Sequence, residues 1–355
     1  MPRPPTPQVI RKLLASAGSE IARRLPPNWQ SSVEARTADG GIVRFTAPDG
    51  RTADVRALVR RRLDPRAAGA LEPTDDPVIV VVDWLSLRTR AILSEAGFGY
   101  ADTTGNLLVM VDEPGLSITA EGAARDPAPL RRATINLRGP RAWALERTLA
   151  EVLPPYGLSE LSDALGIDAG YVSRLLGGLA DELLIDRQPR QPVEGVDWEA
   201  MLRQITQTYS LLESNDTQSW IAPAGPEQFL RDLASSKLRR WAVTGSFASS
   251  QLVSISAPAV AVVYTDDPER LADTVRLRPT RTGGNVVTAL PYDQIVFERT
   301  SERDGLVFAS LCQVVVDCLT GFGRMPQEGE ALLGWMRQRA PKWQASSLTE
   351  TAELP

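Results

Sequence analysis

The segment from Arg141 to Arg190 constrains this chain most, because three helical patterns follow one another in it with short turns between them. The spacing of its first apolar residues predicts an amphipathic helix; these residues are Trp143, Leu145, Leu149 and Val152. A second, shorter helix follows around Leu158, with Ser159 as the expected N-cap. Gly166-Ile167-Asp168 then predicts a tight turn, since glycine suits the left-handed position after a helix and aspartate caps the next one.

The third helix has one apolar face and a polar start. Its inward residues are Val172, Leu175, Leu176, Leu179 and Leu183. This leaves Tyr171, Ser173 and Arg174 outward at the start of the helix. Two short helices joined by such a turn form a helix-turn-helix, whose second helix enters a DNA major groove. The alternative is a plain three-helix packing unit.

The pattern SELSDALGIDAGYVSRLLGGLADELLIDR resembles bacterial winged helix-turn-helix transcriptional regulators, and residues 184–190 are similar to their strand and wing. The resemblance implies sequence-specific binding of double-stranded DNA. The helix residues expected to contact DNA are Ser159, Tyr171, Ser173 and Arg174, where the last three meet base edges or phosphates. Arg187 and Arg190 are expected to contact the DNA backbone from the wing.

Charge is distributed unevenly along the chain. Residues 138–190 hold six arginines and eight acidic residues, a net charge of −2, although neutralising phosphates normally supplies much of the affinity for DNA. Residues 1–66 hold 13 Lys or Arg and six acidic residues, a net +7 in a chain of net charge −5. The densest cluster is Arg60, Arg61 and Arg62, which predicts contact with nucleic-acid phosphates. A solvated, arginine-rich surface is the alternative.

Composition excludes several kinds of site. The chain has 355 residues, which suits two or three domains, and no histidine, which removes His-based triads and His-ligated metals. Cys312 and Cys318 lie six apart on a predicted helix and point in different directions, so no disulfide is expected and a cytoplasmic location is predicted. The apolar runs are too short to span a bilayer. Three lysines against 36 arginines indicate a high-GC genome, typical of an actinobacterium. No catalytic residue, cofactor or metal is predicted.

Residues 1–126 are predicted to form an α/β domain, with a helix, a strand meander and then a strand–helix–strand unit. The phrases GFGYADTTGNLLV and PGLSITAEG resemble a degenerate restriction-endonuclease-like domain that precedes helix-turn-helix modules in actinobacterial proteins. An active member would hold magnesium through carboxylates and a following acidic-x-Lys. Glu34 and Asp54 could supply the carboxylates, but the strand with Asp54 has no acidic-x-Lys, so the catalytic centre is expected to be lost.

The last predicted α/β domain covers residues 215–340, after a winged helix-turn-helix with a following helix over 138–212 and before a disordered tail over 341–355. RWAVTGSFASSQL and VAVVYTDD resemble the C-terminal domain of AbiEi-like type IV antitoxins and the related nucleotidyltransferase-like fold. Active transferases combine a Gly-Ser turn with two carboxylates on the next strand. Gly245 and Ser246 match the turn, but Asp266 and Asp267 are adjacent at a strand end, and Asp266 is expected to cap the following helix.

The sequence therefore predicts an α/β (α+β) multidomain protein that regulates transcription by binding DNA. One alternative is an AbiEi-like antitoxin that autoregulates a toxin operon. Another is a metal-dependent nuclease that uses Glu34 and Asp54. The acidic C-terminal domain suits a protein partner, and a homodimer stays open.

Overall fold

The computed structural model describes residues 6–37, 39–124, 126–128 and 137–350. The chain is mixed α/β, with two seven-stranded sheets, a two-stranded sheet and helices among the described residues. It divides into two compact units: unit 1 is Met1–Arg132 with Asp181–Leu183, and unit 2 is Ala133–Ala180 with Leu184–Pro355. Among the described residues, no helix combines the length and apolar character that crossing a bilayer requires.

Unit 1 is built on one seven-stranded sheet whose strands lie in chain order. Its elements are α1 (Pro7–Ala22), β1 (Gln30–Thr37), β2 (Gly40–Thr46), β3 (Thr52–Val59), α2 (Pro65–Gly69), β4 (Val78–Val82), α3 (Leu87–Glu95), β5 (Gly99–Asp102), β6 (Leu107–Val111) and β7 (Leu116–Ala120). The central strands β3, β4 and β5 are parallel, because α2 and α3 provide the crossovers, and the outer pairs are antiparallel. All five residues of β4 are buried, since Ile79 and Val81 face one core and the alternate valines face the other.

The phrase GFGYADTTGNLLV has a structural role in unit 1. Asp102 is 1 % exposed, and its carboxylate accepts hydrogen bonds from the backbone N–H groups of Leu85, Thr104 and Asn106 at 2.9–3.1 Å. The Asn106 side-chain amide donates to the same carboxylate at 2.7 Å. These bonds fix the loops that follow β4 and β5, because a buried carboxylate is stable only when its oxygens are satisfied.

Unit 2 begins with three helices and a hairpin, followed by a helix and the second seven-stranded sheet. Its elements are α4 (Pro140–Glu151), α5 (Leu158–Leu165), α6 (Ala169–Asp181), β8 (Ile185–Arg187), β9 (Val193–Val196), α7 (Trp198–Thr206), β10 (Asp216–Ile221), α8 (Pro226–Ala234), β11 (Trp241–Thr244), α9 (Gly245–Ser249), β12 (Ala261–Thr265), α10 (Pro268–Thr274), β13 (Arg278–Pro279), β14 (Val286–Leu290), a 3-10 helix (Gln294–Phe297), β15 (Ser301–Arg303), β16 (Leu306–Phe308), α11 (Leu311–Leu319) and α12 (Met325–Arg339). The strand order is β13-β10-β14-β12-β11-β16-β15. We call α4 to β9 the helix–hairpin module.

The helix–hairpin module and the sheet share one hydrophobic core in unit 2. Every residue of α4 from Ala142 to Glu151 is buried, because α7 and α11 pack against it. The predicted domains over 138–212 and 215–340 therefore lie within one compact unit. The linker predicted between unit 1 and this module falls largely on residues 129–136, which lie outside the described residues.

The chain end packs onto α4, so the prediction of a disordered tail does not hold for residues 341–350. Trp343 is 3 % exposed, contacts Trp198 edge-on at 5.1 Å between ring centroids, and donates to the Met336 carbonyl at 3.1 Å. The backbone of Ala345 exchanges hydrogen bonds with Glu151 and Leu153 at 2.9 Å. The weak apolar pattern of this segment concealed its order, because a few anchoring side chains and backbone bonds hold it.

Two other elements differ from the predictions. The sequence favours a strand over residues 295–299, but Gln294–Phe297 is a 3-10 helix, since the Asp293 carboxylate accepts from the Ile295 N–H at 2.9 Å and starts a turn. The helix expected from Trp198 to Leu212 ends at Thr206. Beyond it, the Tyr209 side chain turns into the core.

Candidate nucleic-acid interface

The turn between α5 and α6 has the predicted geometry. Gly166 ends α5 in the left-handed region, with φ of +61°. The N–H of Ile167 donates to the Ser162 carbonyl at 3.1 Å, and the Ser162 hydroxyl donates to the Ile167 carbonyl at 2.6 Å. Asp168 caps α6, because its carboxylate accepts from the Tyr171 N–H at 3.0 Å. The angle between the two helices is therefore fixed by local hydrogen bonds and by the buried Ile167.

The inward face of α6 is apolar, as predicted. Its fully buried residues are Val172, Leu175, Leu176 and Leu179. Leu183, predicted to continue this face, lies beyond the end of α6 and is half-buried. Helical spacing then places Gly170, Arg174 and Gly177 at the centre of the opposite, outward face.

The predicted contact residues of α6 lie together at its start. Arg174 is exposed, and its guanidinium carbon lies 5.6 Å from the centroid of the Tyr171 ring. Tyr171 and Ser173 are half-buried at the two edges of the outward face. A Cβ added at Gly177 would meet no atom within 4 Å, so nothing within the described chain requires glycine there. Sequence analysis missed this outward glycine, although its spacing from Gly170 is visible in the sequence.

The hairpin β8–β9 follows α6 directly. Its strands are antiparallel, and Tyr156 adds a third edge by exchanging backbone hydrogen bonds with Val193. Arg187 ends β8, where its Nε donates to the Gln191 carbonyl at 3.0 Å. Arg190 is exposed at the hairpin turn with φ of +67°. Both predicted wing residues therefore belong to the hairpin end, and Arg190 is the more accessible.

Ser159 does not have the predicted capping role. Gly157 occupies the N-cap of α5, and its N–H donates to the carboxylate of Glu160. Ser159 is the second residue of the helix and is exposed. The sequence signal for the true start was an acidic residue three positions after Gly157.

Some charges of the module lie inside unit 2. Glu146, Arg147 and Glu151 are each at most 6 % exposed, which leaves five arginines and six acidic residues of 138–190 closer to solvent. Burial raises the pKa of Glu146 well above its ordinary value, since neither carboxylate oxygen has a hydrogen-bond partner among the described residues. The phosphate-binding charge of the module therefore rests on arginines at its ends and on α6.

A buried polar cluster connects α4 with α11. Arg147 Nε lies 3.2 Å from a carboxylate oxygen of Glu151, and Arg299 Nη1 lies 3.6 Å from the other oxygen. The Ser310 hydroxyl, at the N-cap of α11, donates to the same carboxylate. Sequence analysis missed this cluster because its members lie about 150 residues apart in the chain.

A second buried network centres on Asp317 of α11. Its carboxylate accepts from the hydroxyls of Tyr209 at 2.6 Å, Thr244 at 2.6 Å and Tyr264 at 2.9 Å. Burial nevertheless raises its pKa to about 6, because removal from water outweighs these hydrogen bonds. The network joins β11, β12 and α11 in the core of unit 2.

The arginine cluster of unit 1 is partly neutralised within the unit. Arg62 pairs with the carboxylate of Asp126 and also donates to the Ala128 carbonyl. Arg61 is exposed, and its Nε lies 3.9 Å from Asp83. Arg60 donates to the Val59 carbonyl at 2.9 Å. The net charge of +7 over residues 1–66 therefore overstates the local excess, because Asp83 and Asp126 lie outside that range.

The carboxylates considered for metal chemistry are separated by an arginine or point apart. Glu34 and Asp54 lie on the same exposed face of unit 1, and Arg44 between them binds Asp54 through two hydrogen bonds of 2.6 and 2.7 Å. Within the described ranges, no three acidic or cysteine side chains converge as metal ligands do.

The Gly-Ser turn of unit 2 lies where expected. Gly245, with φ of +64°, ends β11 and begins α9. The prediction that Asp266 caps the next helix is wrong. Asp267 caps α10, accepting from the Arg270 N–H at 3.0 Å, whereas Asp266 lies 3.4 Å from Nε of Arg240.

Comparison with protein-family models, with curated proteins and with solved structures found no match to this chain. A functional assignment therefore depends on the local geometry of the chain itself.

Proposed function

We propose that the helix–hairpin module is a winged helix-turn-helix and that the protein regulates transcription by binding double-stranded DNA. The observation that carries this proposal is the outward face of α6, which follows a fixed turn and precedes a hairpin. In such modules the second helix of the turn enters the major groove, and its N-terminal residues contact base edges. Arg174 lies at that position, and arginine is the commonest side chain to recognise guanine.

The outward glycine of α6 supports close approach to a partner. Glycine inside a helix lowers helix stability by about 1 kcal/mol relative to alanine. Gly177 carries this cost without any packing contact within 4 Å that explains it. A bare backbone at the centre of the exposed face lets the helix lie deep in a groove.

In the finer assignment that we propose, unit 1 is a degenerate restriction-endonuclease-like domain and β10 to α12 form a nucleotidyltransferase-like domain. The supports are the parallel strands β3–β5 behind an antiparallel meander in unit 1 and the Gly245-Ser246 turn in unit 2. Both regions then serve DNA affinity or partner binding.

The proposal is tested by selecting duplexes from a random library with the full chain and measuring their affinity by gel shift. Arg174→Ala is expected to weaken binding to the selected duplex and to relax selection at one base position, by about 1–3 kcal/mol for a lost base contact. Arg231→Ala, which removes an exposed arginine of α8, is the matched control and is expected to bind as the wild type does. Failure to enrich any duplex would refute the proposal.

A further inference from the structure

Unit 2 contains a cleft of about 480 Å³, open on one side, between α9, α11 and the hairpin β15–β16. Its volume falls in the range of about 300–1,000 Å³ found for small-molecule pockets. A cleft of this size suits a compact small molecule rather than a protein segment.

The floor of the cleft is apolar and the rim is polar. The buried floor residues are Ala248, Phe308, Ala309, Leu311 and Val314. The rim residues Gln251, Glu302 and Arg303 are exposed, and Ser301 is half-buried. The acidic and basic side chains at the rim offset each other, so the cleft has no net charge with which to attract an ion. The chemistry fits an uncharged apolar body that carries one group able to donate and accept hydrogen bonds.

The floor of this cleft is continuous with the buried contacts of α4. Ala309 and Leu311 flank Ser310, whose hydroxyl caps α11 and donates to Glu151 of α4. Gln313, one turn further along α11, lies 3.5 Å from Nη1 of Arg147. A molecule that displaces the start of α11 therefore acts directly on α4, the first helix of the helix–hairpin module.

We propose that this cleft binds a compact, uncharged, largely apolar small molecule and that its occupancy changes DNA binding through α11 and α4. The first half concerns the cleft alone. The second half rests on the proposed function, since it requires that the helix–hairpin module bind DNA.

The probe is 4-fluorobenzamide, and its controls are 4-fluorobenzoate and 4-fluorobenzylammonium, which share its ring but carry opposite charges. Fluorine NMR with the full chain is expected to show line broadening of the amide at concentrations up to the millimolar range, and weaker broadening of both ions. Leu252→Trp fills the half-buried mouth of the cleft and is expected to abolish the effect. Leu212→Trp, at an exposed leucine outside the cleft, is expected to leave the effect unchanged.

A melting curve establishes that Leu252→Trp is folded, and Gln251→Trp on the exposed rim replaces it if it is not. No broadening with the wild type, equal broadening with Leu252→Trp, or equal binding of the ions would overturn the assignment of the cleft. The same amide is expected to change affinity for the selected duplex about fivefold or more. Binding in the cleft without any change in DNA affinity would overturn the coupling. If the protein binds no duplex at all, the proposed function fails while the NMR result stands.

Discussion

The outward glycine of α6 permits a prediction in which stability and DNA binding change in opposite directions. Gly177→Gln adds a long, neutral, helix-favouring side chain where a Cβ meets no atom within 4 Å. Glycine lies about 0.8–1.0 kcal/mol below alanine in helix propensity and glutamine lies close to alanine, so α6 gains about 0.5 kcal/mol or more. The same side chain blocks the centre of the face that we assign to the major groove.

Gly334→Gln is the matched control, because Gly334 lies within α12 and its Cβ position is also open. Both variants are expected to raise the midpoint of guanidinium denaturation, followed by circular dichroism. Fluorescence anisotropy with the selected duplex is expected to separate them. Gly177→Gln should lose at least the value of one base contact, about 1–3 kcal/mol or about 5- to 150-fold, while Gly334→Gln binds as the wild type does. Undiminished DNA affinity of Gly177→Gln would refute the placement of α6 against DNA.

Three further predictions concern other parts of the chain. Arg60→Ala with Arg61→Ala should flatten the log–log dependence of DNA affinity on salt by up to about 0.9 per lost phosphate contact, whereas Arg62→Ala should not, since Arg62 is paired; equal slopes for all variants would mean that the cluster only faces solvent. Burial raises the pKa of Asp317 to about 6, so the folded state holds a proton that the unfolded state has lost, and stability falls as pH rises from about 4 to 6. Asp317→Asn should remove on the order of 3 kcal/mol of that fall in denaturation midpoints measured across this window, and an unchanged pH profile would contradict it. Trp343→Ala should lower the free energy of unfolding by about 3–5 kcal/mol in guanidinium titrations, whereas a disordered tail would leave it unchanged.

Local patterns predicted the elements well where one signal dominated. The apolar run Val78–Val82 is β4 with the expected bounds, and Gly166 with Asp168 defines the turn before α6 as expected. These features depend on side-chain periodicity and on backbone geometry within a few residues, which a sequence shows directly.

The features that the sequence did not predict depend on distant parts of the chain. The burial of Glu146 and Arg147 could not be read from α4, because polar residues at such spacing also fit a solvated face. The order of Trp343 depends on Trp198, far away in sequence. Asp266 and Asp267 are adjacent and alike, and only the position of Arg240 shows which of them caps α10.

The most direct test of the account places a cleaving reagent on α6. Ser173→Cys offers a thiol near the outward face, while the native Cys312 and Cys318 are buried thiols whose pKa burial raises well above the ordinary value, so they react slowly. The full chain labelled at this cysteine with iron–EDTA is then bound to the selected duplex. The account predicts strand cleavage focused within the selected site for Ser173→Cys and none above background for Ser235→Cys, at the exposed end of α8. Cleavage from position 235 but not from position 173, or none from either on a duplex that the protein binds, would contradict the claim that α6 lies in the DNA groove.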